Sequence, residues 1–168
     1  MNTIDICAVK GAVSIVRVDV LAGEIWREHY TPVIGAAQVE YMLENFQSAP
    51  AISRQIQEGY LYFLLRDSSG QDVGYCAIVP RKEELFLSKI YLLSAHRGRG
   101  YARQAITFVE SEARERKLPR ITLTVNKNNH ASIQAYQKMG FTIYGTIVQD
   151  IGNGFVMDDY AMAKQVPA

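Results

Sequence analysis

Arg97-Gly98-Arg99-Gly100-Tyr101-Ala102 lies between a segment that reads as a strand, Leu85-Phe86-Leu87-Ser88-Lys89-Ile90-Tyr91-Leu92-Leu93, and one that reads as a helix. In the second segment Ala102, Ala105, Ile106, Val109 and Ala113 recur at helical spacing, with Arg103, Gln104, Glu110 and Arg114 on the opposite side. A loop with two glycines that opens a helix leaves several backbone N–H groups without intrahelical partners, all aimed at one spot. Such a spot holds phosphate, and two arginines among the amides strengthen it. The loop therefore predicts a ligand carrying a phosphate or pyrophosphate.

Three kinds of glycine loop compete for that ligand, and spacing separates them. A dinucleotide fingerprint needs a third glycine or alanine where this chain has Arg103, and it belongs to the first strand–helix turn of the fold. A P-loop ends in Gly-Lys followed by Ser or Thr, which is absent here. The third pattern is Gln or Arg, two residues of any kind, Gly, one of any kind, then Gly or Ala. It fits at Arg97, Gly100 and Ala102. A second segment, Asn129-His130-Ala131-Ser132-Ile133-Gln134-Ala135-Tyr136-Gln137-Lys138-Met139-Gly140-Phe141, follows after another strand, Ile121-Thr122-Leu123-Thr124-Val125.

In order, separation and residue type, these segments resemble the two signatures of the GNAT superfamily of acetyl-CoA-dependent N-acetyltransferases. The resemblance is firm over about residues 72–165 and weak before them. It implies one N-acetyltransferase domain over residues 1–168, of α+β class, with a mixed, mostly antiparallel sheet flanked by helices.

Composition agrees with a globular domain. The chain has 168 residues, 48% hydrophobic and 21% charged, enough for a single substantial core. Its net charge of +1 supplies no general drive toward nucleic acid or an anionic membrane, so neither is expected as a partner. No apolar run approaches the roughly 20 residues of a membrane span. Asp5, Lys10 and Arg17 interrupt the apolar stretches near the start, so no signal peptide is expected. Cys7 and Cys76 form no metal-ligand spacing and no disulfide framework, and each reads as a small core hydrophobe. A reducing cytoplasm is the expected setting, and association into a homodimer is left open.

Along the chain, Val13–Val18 alternates like a first strand, and Val20 to Gln57 reads as mostly helical, broken at Pro32 and Gly35 and again at Ser48 to Pro50. Gly59 to Leu65 reads as a buried strand, turned by Asp67-Ser68-Ser69-Gly70 into Val73–Val79, which Pro80 ends. Lys117-Leu118-Pro119 closes the helix after the phosphate loop, and Gly140 is suited to cap a short helix beginning near Asn129. The tail reads as a hairpin, Phe141–Gln149 and Phe155–Ala163, around Ile151-Gly152-Asn153-Gly154.

The resemblance assigns chemistry residue by residue. The strand before the loop is splayed in the family, so the backbone of Ile90, Tyr91 and Leu92 is expected to pair with the pantetheine arm of acetyl-CoA, and the Leu92 N–H to stabilise the oxyanion. Arg97, Gly98, Arg99, Gly100, Tyr101, Ala102 and Arg103 are the expected phosphate site. Tyr136 corresponds to a tyrosine near the CoA sulfur, and a phenol of pKa about 10 stays protonated to serve as general acid. Asn129 has two compatible readings, helix cap and contact to pantetheine.

The general base is not legible. A lysine-like amine is only about one part in a thousand neutral at physiological pH, a penalty of about 4 kcal/mol. Many relatives carry a glutamate on the strand two residues before the Ile90 position; here Ser88 stands there, and Thr124 stands at a second such position. His29 is a base candidate, His96 falls in the loop, His130 on a helix surface, and Glu83 and Glu84 in a turn. The acceptor site is expected to use Trp26, Tyr30 and Tyr41 with Glu28, Glu40, Glu44, Asp150, Asp158 and Asp159. Acids beside aromatic faces suit a small cationic amine, polyamines first. A peptide N-terminus, a lysine side chain, an aminoglycoside, or a silent module that binds CoA without transfer are the alternatives.

Overall fold

The computed structural model describes residues 3–168; of the expected domain, residues 1 and 2 lie outside the described part. Strand β1 (Asp5–Ala8) is followed by three helices, α1 (Gly11–Ile34), α2 (Ala36–Met42) and α3 (Ala49–Gln57), with a π-helical turn at Leu43–Gln47. Then come β2 (Leu61–Arg66), β3 (Asp72–Pro80), β4 (Leu85–Leu92), α4 (Tyr101–Glu115), β5 (Arg120–Asn126), α5 (His130–Lys138), β6 (Thr142–Gly152) and β7 (Phe155–Gln165). The strands form one seven-stranded sheet in the order β1-β2-β3-β4-β5-β7-β6. Every neighbouring pair is antiparallel except β4 and β5.

The expectation of a strand at Val13–Val18 is corrected: this segment is the first part of α1, and the first strand is Asp5–Ala8. Six residues with Val13, Ile15, Val16 and Val18 among them are too few to fix the period. What decides is the stripe Val18, Leu21, Ala22, Ile25 and Trp26, spaced for one helix face and buried, while Val13, Val16 and Val20 point outward. The helix penalty of each valine, a few tenths of a kcal/mol, is small beside burial of Leu21, Ile25 and Trp26. Pro32 does not break the helix either. It sits in the last turn of α1, and the next residue after the helix, Gly35, has a φ of +88° that carries the chain out of the helical region.

The sheet has a core on each face. On one, α4 and α5 pack Ala105, Ile106, Val109 and Ile133 against Cys76, Ile78, Leu85, Leu87 and Ile121. On the other, α1 to α3 pack Leu21, Ile25, Trp26 and Ile52 against Tyr62, Leu64, Tyr75 and Ala77. Buried polar groups on the second face are joined in a chain. Trp26 Nε1 donates to Tyr75 Oη (2.9 Å), Tyr75 to Gln47 Oε1 (2.5 Å), and Gln47 Nε2 to Tyr62 Oη (3.2 Å).

Two irregularities in β4 shape everything that follows. Ala77 pairs with Lys89 and the next residue, Ile78, with Leu87, so Ser88 is an extra residue opposite β3, a β-bulge. Leu85 and Leu87 face α4; beyond the bulge Ile90 and Leu92 do so too, while Lys89 and Tyr91 face α1. The second irregularity is that β4 and β5 pair only at Leu85–Ile121 and Phe86–Thr122. Glu84 clamps that closed end by binding Arg120 (3.0 Å) and the Thr122 hydroxyl. Past it the two strands part.

Candidate active site

The gap between β4 and β5 is a cleft of about 420 Å3. Its floor is the open edge of β4. The N–H of Leu93 donates to the Val73 carbonyl on the β3 side (2.9 Å). Backbone groups alternate sides along a strand, so the N–H groups of Leu92 and Ile90 point the other way, into the cleft. The Leu92 carbonyl on that side receives Nε and Nη2 of Arg97 at 3.2 and 3.1 Å.

At one end of the cleft lies the glycine loop. Gly98 (φ +76°) and Gly100 (φ +82°) are left-handed, and a Cβ on either would meet open space. α4 begins at Tyr101 with no side-chain cap, so its first amides are free to meet an anion. Tyr101 buries its ring in the core and offers only backbone. Every expected site residue except Arg99 lines this one cleft; Arg99 is exposed beside it. A loop of free amides, an open strand edge and a narrow channel between them fit the pyrophosphate and extended amide arm of coenzyme A.

α5 and α1 form the far wall. The Asn129 Oδ1 accepts from the Ser132 N–H (3.4 Å) and caps α5, while its Nδ2 donates to Nε2 of His29 (3.0 Å). The capping reading of Asn129 is therefore correct, and the same amide ties α5 to α1. Burial, followed by the nearby Arg97 guanidinium, lowers the pKa of His29 below the ordinary imidazole value. Tyr136 lines the cleft with its ring edge-on to Phe141 (5.8 Å between centroids). Burial pushes its hydroxyl pKa above the ordinary phenol value, so it keeps its proton. His130 is exposed, and His96 lies outside the cleft in a one-turn 3-10 helix.

A second cavity, of about 250 Å3, opens on the α1–α2 side of the same strands. Its walls are largely aromatic and apolar, among them Trp26, Met42, Phe46, Tyr60 and Phe86. The two spaces share Tyr30, Ser88, Lys89, Tyr91, Thr124 and Val125. At the junction the Tyr30 and Tyr91 hydroxyls are 3.1 Å apart.

Of the six acids expected around an acceptor, Asp159 alone lines this cavity. Glu40 pairs with Arg27 (3.1 Å), Asp158 with Lys127 (2.7 Å), and Asp150 accepts from the Gly152 N–H (2.8 Å) in the β6–β7 turn. Glu28 and Glu44 are exposed. Trp26 and Tyr30 line the cavity, whereas Tyr41 lies outside it with its ring tilted against Phe155 (5.3 Å between centroids).

The sequence reading missed Lys89. Its ammonium sits 5.2 Å from the Tyr60 ring centre and donates to Ser88 Oγ (2.8 Å). Burial lowers its pKa to about 8. Simple alternation puts Lys89 on the face of Leu87, under α4; only the bulge at Ser88 turns it toward the second cavity.

A cleft of this kind beside a splayed strand defines an acyltransferase that takes its acyl group from a coenzyme A thioester. The chain belongs to the GNAT acetyltransferase family, whose model matches residues 23–141, and acetyl-CoA is its co-substrate. N-acetyltransferase family 8 member 2 of Rattus norvegicus is 33% identical over 85 residues, 47% of this chain and only 38% of that protein. An uncharacterized N-acetyltransferase of Mycobacterium bovis is 25% identical over 80% of this chain and 86% of its own length. Among solved structures, PaiA N-acetyltransferase of Thermoplasma acidophilum with coenzyme A superposes with a TM-score of 0.80 over 97% of this chain and 99% of that one, at 15% identity. Spermidine N-acetyltransferase of Vibrio cholerae with CoA and spermine gives 0.69 over 97% and 95%, at 17% identity. Among the described residues no helix is long and apolar enough to cross a membrane.

Proposed function

We propose that this chain acetylates the primary amine of a small cationic molecule, by direct attack of the amine on the thioester of acetyl-CoA, within one domain spanning the chain. The observation that carries this is the junction of the two cavities on β4 and β5. A group seated in the second cavity reaches the first across Ser88, Tyr91 and Thr124, without an intermediate carrier. The cysteines support direct attack: neither lines either cavity, and burial pushes the Cys76 thiol up to about 12, far from a nucleophilic thiolate.

In this reading the backbone of Ile90 and Leu92 aligns the pantetheine arm, and the Leu92 N–H receives the developing oxyanion. The amides from Gly98 to Arg103 hold the pyrophosphate, with the Arg97 and Arg103 charges nearby. Tyr136 hands its proton to the departing thiolate and recovers one from the new amide nitrogen. Asn129 supports the far wall through its cap and His29.

A cavity of about 250 Å3 suits a small molecule better than a folded protein surface. The spermine-bound structural neighbour supports a polyamine acceptor; the one lining carboxylate and the aromatic walls support an acceptor with fewer charges. A turnover screen with acetyl-CoA over spermidine, spermine, arylalkylamines, amino acids, N-terminal peptides and aminoglycosides tests the reading. Small cationic amines are expected to turn over fastest. Turnover confined to peptides, or CoA binding with no turnover of any amine, would overturn it.

A further inference from the structure

Asp159 stands in the middle of β7, in register with Asn126 of β5 on one side and Ile147 of β6 on the other. Its side chain is almost wholly buried, 4% exposed, yet it lines the second cavity. One carboxylate oxygen, Oδ1, has no hydrogen-bond partner. The Thr124 hydroxyl approaches the carboxyl from the same face of β5 and favours its ionised form. A buried carboxylate left half-satisfied is costly, and folded proteins rarely keep one without a use. Burial raises its pKa to about 6, helped by Asp158 and opposed by the Thr124 hydrogen bond and Lys127.

The charged and titratable groups around it are few. Tyr30 faces it from α1, Lys89 shares its cavity from β4, Lys127 follows β5, and Asp158 adjoins it on β7. β6 sets Ile147 opposite and brings Gln149 into the cavity. We propose that Asp159 receives the acceptor's ammonium and takes its proton, filling the role that Ser88 leaves vacant on β4. The acceptor is then an amine with one ammonium on an apolar or aromatic body.

This rests on the amine acetylation proposed above and deepens it. The ammonium gives a proton to the Asp159 carboxylate, leaving a neutral amine and a carboxylic acid. The amine nitrogen then bonds to the thioester carbonyl carbon as the C–S bond breaks. Tyr136 protonates the thiolate and regains a proton from the amide nitrogen, and Asp159 releases its proton to water. The substrate class follows from the remaining walls. Lys89 sets a second positive charge in the same cavity, which opposes a second ammonium, and Trp26, Phe46 and Tyr60 offer rings to a hydrocarbon body.

The test compares the full chain with D159N and T124V, using acetyl-CoA with 2-phenylethylamine or spermidine as acceptor. Phenylethylamine is expected to have the higher kcat/KM, with an acid limb near pH 6. D159N should lower kcat/KM about a hundredfold and remove that limb, with CoA affinity by calorimetry unchanged. T124V, which keeps the carboxyl and loses the donor that favours its ionised form, should move the limb to higher pH. The limb surviving in D159N, or standing still in T124V, would overturn the role of Asp159. Spermidine turned over in preference to phenylethylamine would overturn the substrate class. Unmodified chain that binds CoA and acetylates neither amine, nor any in the wider screen, would instead overturn the proposed function, and this inference with it.

Discussion

The cleft between β4 and β5 presents backbone to whatever enters it: the open edge of Ile90 to Leu92, the amides after Gly98 and the start of α4. The cavity beside it is walled by side chains from six elements, Trp26 and Tyr30 of α1, Met42 of α2, Lys89 of β4, Thr124 of β5, Gln149 of β6 and Asp159 of β7. Backbone recognition needs particular glycines, a helix start and a strand edge in order, and it tolerates little change. Side-chain recognition needs only that the sheet bring suitable groups to one place, and each can be exchanged. One fold can thus keep a fixed donor while its acceptor varies.

The sharpest way to break that comparison is at the donor end. Gly100→Glu inserts a carboxylate at the helix start and forces a left-handed φ on a side-chain residue, at a cost of about 1 kcal/mol in strain. The Cβ meets open space, so the fold is expected to survive. Like charge against the phosphates costs several kcal/mol, so CoA affinity by calorimetry should fall by about two orders of magnitude or more. Undiminished affinity would show that the loop does not hold the ligand.

Tyr136→Phe is next in size. Removing a general acid should lower kcat about a hundredfold while CoA affinity barely changes, since the hydroxyl makes no contact on which the fold depends. Equal turnover in variant and parent would take Tyr136 out of the mechanism. Gly74→Ala tests the frame behind the strand edge. An added Cβ would lie 2.2 Å from the Tyr91 carbonyl oxygen and 2.9 Å from the Leu92 side chain, so β4 must move. Urea denaturation should report a loss of about 1–3 kcal/mol, accompanied by a drop in kcat as the Leu92 N–H shifts. Unchanged stability would mean that β3 and β4 can separate there freely.

The smallest effect is on the acceptor side and has the opposite sign. The folded state raises the pKa of Asp159 to about 6, above the unfolded value near 4, so it binds the proton more tightly than the unfolded chain. Stability from this group is therefore present at low pH and lost as pH rises from about 4 to about 6. D159N should melt a few degrees higher than the parent at pH 8, a gain on the order of 2 kcal/mol, with no gain at pH 4. Equal melting temperatures at pH 8 would indicate a carboxylate that is not strained by its surroundings.

The same contrast explains what could be read from the sequence. That Arg97 to Ala102 and Asn129 to Phe141 meet in one cleft was legible because each segment is contiguous and carries its geometry in local order. The second cavity was not, because Asp159 becomes distinctive only through burial and register with Asn126. In the sequence it is one acid of six. Lys89 was hidden for a different reason, since a bulge is invisible to a count of alternating residues. The strand misassigned at Val13–Val18 shows the limit from the other side, where a period read over six residues was outvoted by a stripe that runs on to Trp26.

Ser88 has no partner on β3, and its neighbours Leu87 and Lys89 already face opposite sides of the sheet. Losing that one residue would thus leave every other side chain of β4 on its present side, while straightening the strand. A straight β4 could carry its ladder with β5 beyond Phe86, knitting shut the space that coenzyme A needs. In this molecule a deletion that repairs the sheet would yield a sounder protein and a dead enzyme.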